Sequence, residues 1–158
     1  MKIFDRPIKD SPFTVDVTDH IEAVEKFPGG LGGASLLKQP VSVAVATTTG
    51  EVYVLDAGNS RVVVLDSGLR LKRQLVGVCG LEDRGAVGMA ISPVSGNLAI
   101  VNWRTKKITE LSPDTGEVVR QVTSSSFVAP TAVAVNSKNE FIVADNEAGS
   151  VSSWTLAA

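Results

Sequence analysis

The chain has 158 residues, one histidine, one cysteine and a formal net charge of −2. With 44% hydrophobic and 20% charged residues, its composition is that of a chain with a core, which excludes a disordered segment. The near-neutral charge does not point to a strongly basic nucleic-acid binder, and a lone Cys79 excludes an intrachain disulfide or a cysteine metal site.

Residues 1–19 contain Pro7 and Pro12 and read as an N-terminal extension without a long regular element. They lack the apolar stretch of a secretory signal, and no run of 18 apolar residues occurs anywhere, so the expectation is a cytoplasmic protein with no membrane partner. Residues 20–27, HIEAVEKF, read as one isolated strand. Pro28, Gly29 and Gly30 then open a loop that leads to Pro40.

From Pro40 the sequence repeats. Residues 40–66 and 86–112 align at an offset of 46 without a gap, and residues 130–155 follow at 44 with one deletion before Asn139. Within each repeat Val43, Val45, Met89, Ile91, Val133 and Val135 alternate with small residues. After a polar turn, Val52, Val54, Leu98, Ile100, Phe141 and Val143 alternate again. A period of two bounded by turn residues predicts strands. The small residues on the first strand predict a crowded, innermost position. A third strand follows, then a hairpin turn and a fourth strand ending in Arg73, Gln74 and Leu75 or in Arg120, Gln121 and Val122. The third repeat ends after its third strand, and Glu25, Lys26 and Phe27 match the missing fourth. Four antiparallel strands every 45 residues or so are the pattern of a propeller blade. The predicted fold class is therefore an all-β propeller segment over residues 20–158, with blades starting near 40, 86 and 130.

Repeat one reads Pro40, Val43, Ala44, Val45, then Tyr53, Val54, Asp56, Asn59, Arg61 and Val62. In this it resembles the NHL repeat. Repeat three keeps Pro130, Val133, Ala134, Val135, Ile142, Val143, Asp145 and Val151, but has Ala148 and Ser150 where repeat one has Asn59 and Arg61. Repeat two has Asn102 for the aspartate and Lys107 for the arginine. The Trp-Asp and Gly-His dipeptides of WD40 repeats are absent. The resemblance is to the C-terminal domain of TRIM-NHL proteins, and it implies a six-bladed propeller that recruits protein or RNA. Ligase activity in that family belongs to a RING domain, whose two zinc sites one cysteine and one histidine do not build.

Catalysis finds little support in the residues. His20 is the sole histidine, so no Ser/His/Asp arrangement is available without it. Metal-dependent propeller lyases need several histidines. Asp56, Asn102 and Asp145 occupy one repeated position, open to calcium ligation as in lactonase-like propellers or to a turn role. Their repetition at the end of each second strand favours the turn, with the side chain accepting backbone N–H groups there. Asn59 belongs to the same turn, and so does Arg61, five residues after Asp56, for which a turn-bracing ion pair or hydrogen bond is favoured over a ligand contact. The expectation is a non-enzymatic chain with no cofactor and no metal.

The candidate site is a rim. Antiparallel order puts the second-to-third-strand turns and the blade-to-blade loops at one end of the sheets. Arg61, Trp103, Arg104, Lys106, Lys107 and Asn146 are the binding candidates there. An exposed Trp beside Arg and Lys suits a protein anchor or a stacked base with phosphate contacts. Lys38 and Arg84 add positive charge, and Glu82, Asp83 and Glu147 offset it, leaving a mild patch. The expected partners are a protein or a single-stranded RNA. Three blades are too few to close a propeller. The expectation is half of a six-bladed ring, completed by a homodimer or by the remainder of a longer propeller.

Overall fold

The computed structural model describes residues 37–155. The extension and the isolated strand expected at 20–27 lie outside the described residues. Among the described residues, eleven strands follow in chain order. Blade 1 holds β1 (Pro40–Val45), β2 (Val52–Asp56), β3 (Arg61–Leu65) and β4 (Leu71–Val76). Blade 2 holds β5 (Ala86–Ile91), β6 (Leu98–Asn102), β7 (Lys107–Leu111) and β8 (Val118–Thr123). Blade 3 holds β9 (Pro130–Val135), β10 (Phe141–Asp145) and β11 (Ser150–Trp154).

Each blade is an antiparallel meander: two sheets of four strands and, among the described residues, one of three. Meander order follows from short polar turns, which let successive strands pair directly. The chain is thus an all-β partial propeller. Its first strands are the inner ones, because β5 packs between β1 and β9. Crowding there is explicit at Gly88. A Cβ at that position would come within 2.9 Å of Thr131 O in the next blade.

The core lies between blades. Tyr53, Leu55, Val62, Val64 and Leu75 of blade 1 form one cluster with Met89, Leu98, Ile100 and Leu111 of blade 2. On the opposite face of blade 2, Ala99, Val101, Ile108 and Val122 join Phe127, Phe141 and Val143. Alternation along β6 sends Leu98 and Ile100 one way and Ala99 and Val101 the other, so every residue of β6 is buried. Trp154 closes the second cluster, 5.1 Å from Phe127 in an edge-to-face contact.

The fourth-strand arginines tie blades together at the end away from the rim. Arg73 donates to Pro113 O of blade 2 at 2.9 Å, to the Tyr53 hydroxyl at 3.1 Å and to Glu51 at 3.2 Å. Lys72 also reaches Glu51, at 2.7 Å. These partners, Lys72 first, outweigh burial and hold the Glu51 carboxyl at about 2. Arg120 repeats the device one blade on, pairing with buried Glu110 and lying over the Phe141 ring of blade 3.

Candidate interaction rim

One corner, built three times, positions the rim. Asp56, Asn102 and Asp145 pair across the sheet with Pro40, Ala86 and Pro130, and each pairing sits beside a bulge in the inner strand. Such a bulge bends the strand and re-aims its end. A four-residue turn follows each corner. Its last residue, Ser60, Lys106 or Gly149, has φ of 49°, 56° and 65° respectively. Its first residue donates a backbone hydrogen bond to the loop entering the blade: Ala57 to Gln39 O, Trp103 to Gly85 O, Asn146 to Ala129 O.

The corner side chains are 0%, 0% and 4% exposed, and each spends its polar atoms on two segments. Asp56 accepts from the Lys38 and Gln39 N–H groups, both at 2.9 Å. Its other oxygen takes Asn59 Nδ2 at 2.7 Å and Arg61 Nε at 3.0 Å. Asp145 accepts from Val128 N at 2.8 Å, Ala129 N at 2.9 Å and, in its own turn, Ala148 N at 3.0 Å. Asn102 accepts from Arg104 N and Thr105 N in the turn, while its amide donates to Gly80 O and Glu82 O in the loop. For Asp56, burial pushes the carboxyl up, but the bonds from Gln39, Asn59, Arg61 and Lys38 outweigh it and the value falls below the ordinary range. Asp145 follows the same pattern, with Ala148, Ala129 and Val128 as donors.

The structure separates the candidate residues. Trp103 is 38% exposed, and the Arg104 guanidinium lies 4.6 Å above its ring. That is cation–π distance, and it presents an aromatic surface and a charge as one unit. Arg104, Lys106, Lys107 and Asn146 are exposed. Arg61 is only 6% exposed, and its guanidinium bonds Asp56 and Gln74, so its side chain serves the corner rather than the rim surface. Asn59 likewise gives its amide to Asp56. The three corner side chains sit in three separate hydrogen-bond sets, and among the described residues no three His, Cys, Asp or Glu side chains gather as a metal would require.

The loop before blade 2, expected on the rim, has a conformation that the sequence did not show. Asp83 and Arg84 both have left-handed φ, 57° and 54°, and Glu82 accepts from Gly80 N at 2.8 Å. Gly85 then passes so close to the corner that a Cβ would collide with Asn102 Oδ1 and the Arg104 stem. Between this loop and the Asn59–Ser60 turn lies a cleft of about 420 Å³, with Val78, Cys79 and Leu81 on its wall. The Gly-rich spelling of residues 77–85 was the available signal, and bonds from Asn102 to Gly80 O and Glu82 O fix the path across the blade.

The NHL repeat family matches residues 37–65 of the chain. No curated protein sequence matches it. Among solved structures, the WD40 repeats of RRP9 superpose with a TM-score of 0.64 at 11% identity, covering 79% of this chain and 36% of that one. Glutaminyl cyclase from Myxococcus xanthus gives 0.56 at 14% identity, over 75% and 56%. A catalytically inactive virginiamycin B lyase from Staphylococcus aureus gives 0.53 at 13% identity, over 72% and 40%. These likenesses show the propeller fold. The chain spans well under two thirds of the length of each.

Proposed function

We propose that the chain is a non-catalytic interaction module of TRIM-NHL type that binds a protein partner through the rim around Trp103. The observation that carries this reading is the stacked Trp103–Arg104 pair on a turn locked to a buried corner. Trp and Arg dominate the energetics of protein interfaces, and a pre-ordered anchor loses little entropy on binding. Propellers with NHL or WD40 repeats commonly serve as protein-binding modules, which supports the same reading.

RNA is the finer alternative within this proposal, favoured by the exposed Lys106 and Lys107 beside the stacking surface. A third element is that the module works as half of a six-bladed ring made by two copies. The test of the rim compares the protein with Trp103→Ala and Arg104→Glu/Lys107→Glu variants. Partner capture from cell extract is expected to be lost in Trp103→Ala while its folded spectrum is unchanged. A pool of short single-stranded RNAs is expected to bind weakly at physiological salt. Tight RNA binding, steep in salt and abolished by Arg104→Glu/Lys107→Glu, would replace the protein reading with the RNA one.

A further inference from the structure

The two outer blades leave bare the positions that the middle blade buries. On β5, Met89 faces blade 1 and is 7% exposed, while its counterpart on β1, Val43, is 64% exposed and Val45 is 53% exposed. On β7, Ile108 faces blade 3 and is 0% exposed, as is Val62 on β3 facing blade 2. Their counterpart on β11, Val151, is 72% exposed. Blade 1 therefore carries at its inner strand the half-interface that blade 2 offers backward. Blade 3 carries the half-interface that blades 1 and 2 offer forward. The two bare surfaces are complementary halves of a contact the molecule already makes twice.

Two further observations give that contact a direction. Among the described residues β11 has a partner on one edge only, whereas β3 and β7 are each flanked on both edges. An unpaired edge beside an apolar face is a ready docking site for another strand. At the other end, Asp56 grips the Lys38 and Gln39 amides in the way Asp145 grips those of Val128 and Ala129. In blade 3 the gripped loop arrives from β8, the outer strand of the preceding blade. Residues 38–39 thus enter blade 1 as a loop does when it comes from the outer strand of a blade before it.

We propose that these surfaces are occupied by a second copy of this chain. Blade 3 of each copy packs on blade 1 of the other. This inference rests on the half-ring element of the proposed function. Head-to-tail contacts of this kind either close into rings or run on as filaments. Closed propellers hold roughly four to eight blades. Two copies of the three described blades fall inside that range.

The test is light scattering on the whole 158-residue chain, expected to give twice the 16.5 kDa chain mass. Val43→Asp and Val151→Asp alter exposed positions and are each expected to give the mass of one folded chain. Mixing the two variants is expected to restore part of the dimer, because one of its two contacts then joins unaltered faces. Hydrogen exchange needs no variant: amides of Ser150–Trp154 should be slow in the dimer and faster on dilution. A one-chain mass at every concentration would overturn the proposal. A dimer indifferent to both substitutions would overturn it too, by placing the contact elsewhere. The rim reading stands or falls separately, on the Trp103 experiment.

Discussion

Asp56 and Asn102 close the same corner of successive blades with different chemistry. The carboxylate only accepts, so the loop entering blade 1 turns N–H groups toward it, those of Lys38 and Gln39. The amide both accepts and donates, and the loop entering blade 2 turns carbonyls toward it, Gly80 O and Glu82 O. Around Asp56 a buried arginine balances the charge, and around Asn102 there is no corner charge to balance. The corner position is thus a constraint on paired polar atoms rather than on residue type. Once paired, either chemistry docks the incoming loop and the outgoing turn together.

The comparison can be broken most sharply in blade 1. Asp56→Ala leaves the Arg61 guanidinium buried beside an empty corner and frees two loop amides. A loss of about 3–5 kcal/mol in chemical denaturation is expected, from a buried charge deprived of its carboxylate. Arg61→Met introduced into the Asp56→Ala chain should recover part of that loss, whereas a corner that mattered only for packing would gain nothing.

A smaller effect is expected from exchanging the chemistries. Asn102→Asp keeps the shape but sets carboxylate oxygen against Gly80 O and Glu82 O. The cost should be about 1–3 kcal/mol, that of buried acceptors without donors. Unchanged stability would mean that the loop carbonyls turn away, and that the amide donors contribute nothing.

Acid should sort the corners with the least perturbation. Asp56 and Asp145 lie below the ordinary carboxylate value in the folded chain, so they add stability above that ordinary value. The contribution is lost as pH falls through the lower, folded values. Glu51 behaves alike, losing its contribution between 4.5 and about 2. Protection of the Lys38, Gln39, Val128 and Ala129 amides, taken as exchange relative to the intrinsic rate at each pH, should therefore fall in acid before that of Arg104 and Thr105, which bond the uncharged Asn102. Equal loss across all three corners would show that protonation acts globally and not at the two aspartates.

Much of the fold was legible because it is written locally. Alternation over Val52–Asp56 or Leu98–Asn102 reports a strand whatever lies beside it, and a period near 45 residues reports how often the meander restarts. The rim was less legible. Arg61 and Lys107 hold the same register opposite Asp56 and Asn102, yet one is buried in an ion pair and the other is exposed. The local signal was the residue five places upstream: Asp56 offers Arg61 a charge to pair with, and Asn102 offers Lys107 none.

By itself, then, the sequence determined the strands, their meander order and the repeated corner positions, since period and turn chemistry act over a few residues. Only the tertiary structure decided which loop each corner holds. Those hydrogen bonds join residues 16 to 22 apart, across a sheet and a blade boundary. It also decided that the middle blade buries both faces and the outer blades one. Burial depends on the neighbour a face meets, and that neighbour lies a full repeat away in the chain.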